Sequence, residues 1–540
     1  MLVLGLKPGH DGAVAAIKDR RLLFSLESEK DSGRRYSQLT LQTFLEGADL
    51  DACPDLIAVG GWFSDMPSGP GPFNAGYVGA LAIDEREGRF YGQSVRFFTS
   101  SHVRSHIMGS VGMAPRDEAT TRAVLVWEGL VGSFYLLDER FAVTAEIPVL
   151  IHVGNRYAAL FAIADPTFAD DRRQPRNGDA GKLMALAAFG DPGDATDEIR
   201  DAVEGLLARP VDPHTPVGPW GPRAVAKGDF RDSPLYNVGV ESEAFKAAAA
   251  YLTERVFSLF ADTAIARVPG GIPLHIGGGC GLNCDWNSAW QELDHFSSVF
   301  VPPCANDSGS SIGHALDALH SVTGDPYIEW DVYSGRDFEW DREPDAAQWR
   351  SRAFDEREIA HALAEGQVFA WVQGRWEIGP RALGNRSILA EPFNPSTRDR
   401  LNAIKQREGY RPIAPCCRVE DLSLVFNEAF EDPYMLYFRT VRSDRFGAVT
   451  HVDGSARCQT VTESANPPLH RLLSSFAEQS GFGLLCNTSL NFKGRGFINR
   501  MSDLVLYSEA RGLDSIVVGD KWYERVRRPE TLRAVRRVHA

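Results

Sequence analysis

The sequence predicts an α/β protein built in two units. Three features carry that expectation. A strand–glycine turn–strand–turn–strand pattern occurs twice within residues 1–148. A strand–glycine loop–helix pattern follows it. Residues 322–358 are then acidic, aromatic and turn-rich with no clean periodicity, as expected of a connection between units.

Taken in order, "MLVLGL" is a short apolar strand, "KPGHDG" a turn, "AVAAI" a second strand, "KDRR" a tight turn and "LLFSLE" a third strand. The pattern returns at residue 122 as "RAVLVW", "EGLVG", "SFYLL", "DERF" and "AVTAEI". Each copy places an acidic residue and glycine between its first two strands: Asp11 with Gly9 and Gly12, then Glu128 with Gly129. Such a turn lets the backbone come close to a phosphate or a metal. The repeat predicts two similar half-domains facing each other across a cleft, although any two β-meanders share the pattern. Between the copies, His102 and His106 stand one helical turn apart and can face one site. The spacing alone suits a pair of core or surface histidines as well.

Residues 243–268 read as a long helix, and "GIPLHIGGGCGLNCDWNSAW" as strand, glycine loop and helix. Gly277, Gly278, Gly279 and Gly281 can offer backbone N–H groups to phosphates or an adenosine. No Gly-Lys-Ser/Thr follows, so this is not a Walker A loop. In "PPCANDSGSSIGHAL", Asp307, Ser308 and Gly309 lead into a helix of small residues. After the connection comes a helix, "EREIAHALAEG", and then "WVQGRWEIGPRALGNRSILAEP" with Arg375, Arg381 and Arg386 among glycines and apolar residues. A buried arginine is costly unless an anion pairs with it. The partner is either a protein carboxylate, for which Glu377 is at hand, or an anion from outside.

With 540 residues the chain is too long for one core, and two to four domains are expected. A formal net charge of -15 argues against a general binder of nucleic acid or membrane surfaces, yet leaves room for a local basic pocket. The eight cysteines form no CxxC pair, so neither a disulfide framework nor a zinc knuckle is expected, and a reducing cytoplasm is the natural setting. No signal peptide and no membrane span are expected, because the N-terminus lacks a basic region and no apolar run is long enough.

Nine stretches, in order over nearly the whole chain, resemble the NodU/CmcH family of O-carbamoyltransferases. They are "GHDGAVAAI", "HVRSH", "GKLMALAAFG", "IGGGCGLNC", "NDSGSSIGHAL", "QGRWEIGPRALGNRSILAEP", "KQREGYRPIAP", "THVDGSARCQT" and "NTSLNFKGRG". The opening "KPGHDGAVAAI…LLFSLESEKD" is similar to the branch that carbamoylates hydroxymethyl cephems in antibiotic biosynthesis. The resemblance implies an ASKHA-type duplicated domain over 1–330, a YrdC-like α/β domain over 350–525 and a tail over 526–540. It implies that carbamoyl phosphate and ATP, as its magnesium complex, yield carbamoyl-AMP, and that the carbamoyl group then passes to a small-molecule alcohol. Neither nucleic acid nor membrane is a partner, and a homodimer is compatible with the reading.

Residue by residue, the resemblance places Arg381, Lys405, Arg411 and Arg457 around the phosphates, with Asn487, Ser489 and Asn491 as neutral donors. Guanidinium groups suit that task because they bind phosphate oxygens bidentately and stay charged. His102, His106, Glu128 and Asp307 become metal ligands, a set that suits Fe(II) first, or Mn(II) or Zn(II). The family commonly has Asp where this chain has Glu128, which puts the metal's position or affinity in question. His10 matches the catalytic histidine and can take a proton from an alcohol. Lys30, Arg34 and Arg35 are expected to hold the adenylate phosphate, and Gly277 and Gly278 to approach the nucleotide. Pro8 stands where some relatives that act on amino sugars are acidic, which argues against a cationic aminoglycoside acceptor. Two rivals remain: a kinase of the same N-terminal fold, and a non-catalytic nucleotide- or RNA-binding protein.

Overall fold

A computed structural model describes residues 1–61, 73–171, 175–176, 178–210 and 226–526. The expected tail falls outside these, apart from Val526. The first meander forms β1 (Leu2–Lys7), β2 (Ala13–Lys18) and β3 (Arg21–Glu27), and is extended by β4 (Leu56–Val59), β5 (Ile83–Phe90) and β6 (Gln93–Ser100). Their order is β3-β2-β1-β4-β6-β5, with β4 parallel to β1 and β6 parallel to β4. The second meander forms β7 (Arg122–Trp127), β8 (Gly132–Leu137) and β9 (Val143–Pro148), followed by β10 (Pro273–Gly277) and β11 (Ser298–Phe300). Their order is β9-β8-β7-β10-β11, again a meander with parallel strands added beside its first member. The repeated pattern is therefore a repeated topology, the duplicated ASKHA-type arrangement.

Two helices lie between these sheets. Ser310–Thr323 packs on β1, β2 and β4, and His102–Gly112 on β7 and β10, while the two helices pack on each other. Small residues permit the approach. A Cβ on Gly313 would stand 2.0 Å from the Ser105 carbonyl, and one on Gly5 2.0 Å from that of Ser311. The fully buried rows Val124, Leu125 and Val126 of β7 and Val3 and Leu4 of β1 fill the space around them. Such near-continuous apolar strands are expected where a sheet is covered on both faces.

The C-terminal half forms a separate sheet of eight strands. These are β12 (Trp349–Arg352), β13 (Phe369–Val372), β14 (Arg386–Ala390), β15 (Ala414–Arg418), β18 (Gln459–Val461), β19 (Leu484–Ser489), β20 (Ser515–Val518) and β21 (Lys521–Arg525); β16 (Arg439–Thr440) and β17 (Ser455–Ala456) pair apart. Helices Glu356–Ala364 and Pro467–Ser480 cover one face with Leu363, Leu472 and Phe476. Helices Pro395–Lys405 and Met501–Arg511 cover the other with Leu401, Leu504 and Tyr507. The acidic 322–358 stretch is more than a connection. It lays backbone bonds along β3, from Leu22 N–H to the Glu329 carbonyl (2.9 Å) and from Ser25 N–H to that of Ser334 (2.8 Å). It then supplies β12.

The halves are stitched together by residues 27–35. Ser32 N–H donates to the Phe497 carbonyl (2.8 Å), Gly496 N–H to that of Gly33 (2.9 Å), and Arg34 bridges to Arg495. Lys30 sits in this seam. It is buried, its ammonium donates to the Gly379 carbonyl at 2.5 Å, lies 3.6 Å from Glu27 and covers the Phe497 ring at 3.8 Å.

Candidate active site

His102 and His106 lie on the first turns of their helix, whose N-terminus Ser101 caps by accepting a bond from Arg104 N–H (3.2 Å). Glu128 follows β7 directly, and Asp307 opens the turn before the helix Ser310–Thr323. All four side chains are buried, and one ligand atom from each lies within 4.8 Å of the others. His102 Nε2 stands 3.0 Å from both His106 Nε2 and Glu128 Oε2, and Asp307 Oδ1 is 3.4 Å from it. Two ring nitrogens aimed at each other beside two carboxylates are hard to satisfy with protons alone. Glu128 Oε1 has no hydrogen-bond partner. Burial would raise the Glu128 carboxyl, but the neighbouring His102 and His106 outweigh it and hold it down at about 2. This donor set fits a divalent cation. The longer Glu128 side chain still converges on the same point as the histidines.

His10 stands beside this cluster at the end of the first turn. Its Nε2 is 3.3 Å from Asp307 Oδ2, its Nδ1 is 3.0 Å from Asp11 Oδ2, and its side chain is 52% exposed. Asp307 raises its pKa, burial opposes that, and Asp11 adds to the rise. The ring therefore borders both the buried cluster and open space, as a group that meets a substrate must.

Gly277 and Gly278 have a structural task. A Cβ on Gly277 would stand 2.9 Å from the His106 carbonyl, and Gly278, at φ 94°, faces the Trp127 carbonyl at 2.3 Å. They let β10 pass against the metal-ligand elements. Gly279 is the neighbour with open space over its α-carbon.

A second centre gathers cations where the halves meet. Arg381 donates to the Leu282 carbonyl of the glycine loop (2.8 Å), and its Nε has no partner. Burial, then Arg457, Arg35 and Arg411, pull its pKa down to about 9. Burial, Arg411 and Arg457 do the same to Arg407, which sequence reasoning missed. Burial and the neighbouring Arg407, Arg411 and Arg35 likewise depress Lys405. Among the described residues no carboxylate pairs with Arg381, Lys405, Arg407 or Arg457; Glu408 stands 3.9 Å from Arg411 and Glu29 3.6 Å from Arg35. So many cations with so few carboxylates make a pocket suited to an anion. Ser489 and Asn491 are committed to Lys405, which donates to Ser489 Oγ (3.1 Å) and Asn491 Oδ1 (2.5 Å). Asn487 donates to Ala382 and Gln459, leaving its Oδ1 unpartnered.

The other two arginines of the stretch have a third answer, neither carboxylate nor external anion. Arg386 donates to the carbonyls of Gln373, Gly374 and Asn385 and to Asn499, and Arg375 to those of Leu23, Ser334 and Gly335. Glu377 forms no ion pair with them; it accepts backbone N–H bonds from Leu383, Asn385 and Arg386.

Asp285 lies between the halves, and burial with nearby Asp453 raises its pKa to about 7. A raised carboxyl favours the folded state at low pH, and that contribution is lost as pH rises through about 7. Asp285→Asn should therefore flatten the fall in melting temperature between pH 5 and pH 8; an unchanged slope would place the titration elsewhere.

The duplicated lobes hold a buried cluster suited to a cation and adjoin a pocket suited to an anion, an arrangement that fits a group-transfer enzyme. The chain belongs to the carbamoyltransferase family: the family's N-terminal part matches residues 93–316 and its C-terminal part residues 360–525. It is 59% identical over 97% of its length to a 3'-hydroxymethylcephem-O-carbamoyltransferase of Streptomyces clavuligerus, covering 99% of that protein, and equally to one of Amycolatopsis lactamdurans. A nodulation protein U of Sinorhizobium fredii is 33% identical over 92% of this chain and 95% of its own. The chain is thus a carbamoyltransferase. Among solved structures, an activator of 2-hydroxyisocaproyl-CoA dehydratase from Clostridium difficile with bound ADPNP aligns over 59% of this chain and 95% of its own, with a TM-score of 0.33 and 12% identity, too distant to add to the argument. No helix among the described residues is long and apolar enough to cross a membrane.

Proposed function

We propose that this enzyme carbamoylates the hydroxymethyl group of a cephem in antibiotic biosynthesis, with carbamoyl phosphate and ATP as co-substrates and carbamoyl-AMP as the intermediate. The observation that carries the acceptor is the 59% identity over nearly the whole chain to two enzymes named for that substrate. In this reading residues 350–525 form the activating unit and 1–330 the transfer unit. Carbamoyl phosphate is first hydrolysed to carbamate and phosphate in the pocket of Arg381, Arg411, Arg457 and Lys405. The carbamate oxygen then attacks the α-phosphorus of ATP, and pyrophosphate leaves. The cation cluster supports this because it neutralises anions that would otherwise repel one another. Arg35 is an electrostatic neighbour of Arg381, Arg411 and Asp11, the residue that follows His10.

In the transfer unit, His10 accepts the proton of the acceptor hydroxyl as its oxygen attacks the carbamoyl carbon, and AMP leaves. Asp11 and Asp307 orient the imidazole. His102, His106, Glu128 and Asp307 would hold a divalent ion, Fe(II) by preference, whose chemistry when bound is to polarise a carbonyl or phosphoryl oxygen. Incubating the enzyme with both co-substrates and a 3'-hydroxymethylcephem should give AMP, pyrophosphate and the carbamoylated cephem in equal amounts. ADP as the nucleotide product would overturn the scheme and favour a kinase.

A further inference from the structure

Two sets of metal-ligating side chains share one carboxylate. His102, His106, Glu128 and Asp307 form the first, and His10, Asp11 and Asp307 the second. The two oxygens of Asp307 divide between them. Oδ1 faces His102 and His106 at 3.4 and 3.5 Å, while Oδ2 faces His10 Nε2 at 3.3 Å. A carboxylate offering one oxygen to each of two donor sets is the usual bridge of a two-metal centre, in which the ions stand roughly 3.5–4 Å apart. Donor types alone would make this centre dinuclear, with His10 bound to the second ion.

Lys7 stands against that. It is the last residue of β1 and fully buried, and its Nζ lies 3.4 Å from Asp307 Oδ2 and 3.2 Å from the Gly61 carbonyl. Its slot is built for it. A Cβ on Gly61 would come within 2.7 Å of its Cδ, and one on Gly9 within 3.1 Å of its Nζ. A buried ammonium persists only where its charge is compensated, and the compensating oxygen here is the one that would bridge to a second ion. Like charges a few ångströms apart in a buried site repel strongly.

We infer that Lys7 is a positioning residue, a built-in cation that keeps the metal centre mononuclear and leaves His10 free of metal, turned toward the acceptor. The inference rests on the reading of His10 as the base and of the four-residue cluster as a metal centre. Asp307 would then offer one oxygen to the ion and the other to His10, with the Lys7 ammonium fixing which oxygen does which.

The test is a count of Mn(II) bound to metal-depleted full-length protein, read by equilibrium dialysis and by the electron spin resonance of the bound ion. Wild type and Lys7→Arg should bind one ion per chain. Lys7→Met should bind two, with a spin-coupled spectrum, and excess Mn(II) should lower its transfer kcat at least tenfold with acceptor KM changed less than threefold. Should Lys7→Met fail to fold, Lys7→Gln, which keeps a donor to Asp307 but no charge, replaces it with the same expected count of two. One ion in every folded neutral variant overturns the inference whatever the rate, and two in the wild type overturn it outright. If the wild type binds none, the metal reading itself fails and takes this inference with it. If His10→Ala still transfers while the counts are as expected, the base assignment fails and the nuclearity stands.

Discussion

Arg457→Ala should slow carbamoyl-phosphate-dependent pyrophosphate formation by about ten- to a hundredfold, and should at the same time raise the melting temperature of the ligand-free protein. The first effect follows from losing a charge-assisted phosphate contact, worth roughly 1.5–3 kcal/mol, if the contact is made in the transition state. The second follows from repulsion. Arg457 lowers the pKa values of Arg381, Arg407 and Arg411, so each resists its charge. Its own Nε is buried without a partner. Removing a guanidinium with no carboxylate of its own relieves that repulsion, whereas removing one from a salt bridge would destabilise the fold. The opposite signs separate an anion pocket from an ion-pair network. Pyrophosphate should stabilise wild type more than the variant, as expected of a ligand that binds the folded state. A variant both slower and less stable would mean that Arg457 supports the fold.

The duplication was legible because a meander with glycine turns has a short, local signature, and two copies could be compared within one chain. The metal cluster was legible in part. His102 and His106 declare themselves by helical spacing, but Glu128 and Asp307 come from strands and turns far apart, and only family resemblance joined them. What pattern cannot show is how a buried cation is satisfied. Arg386 and Arg381 stand five residues apart in one glycine-rich stretch, yet Arg386 is spent on backbone carbonyls and Arg381 faces the pocket. The loop's path decides that, and composition does not encode it. Lys30 is another basic residue whose surroundings the pattern does not show, and its ammonium meets the Gly379 carbonyl at the seam between the halves. The pattern places Lys7 at the start of a turn, since nothing local tells a buried lysine from an exposed one.

His10→Ala should stop formation of the carbamoylated product, by about a hundred- to ten-thousandfold in rate, the usual contribution of a positioned general base. It should leave pyrophosphate formation close to the wild-type value. The argument is spatial. The His10 ring contacts Asp11 and Asp307 on one side and open space on the other. The chief causes of the depressed pKa values in the anion pocket are burial, the cations themselves, Arg35 and Arg511, opposed by Glu408, Tyr410, Tyr507 and Cys284, and His10 is not among them. A change confined to the imidazole therefore removes the proton acceptor of the second step without touching the groups that bind phosphate in the first. Carbamoyl-AMP formed by the variant has no route to product, so it should be retained or hydrolysed slowly, because such an intermediate survives only while kept from water. Measuring pyrophosphate and carbamoylated product separately in single-turnover experiments decides the matter. Equal loss of both in His10→Ala would mean that one pocket carries out activation and transfer together. Intact transfer in the variant would hand the proton to another group, with Asp11, buried and 3.0 Å from the same ring, the first to replace.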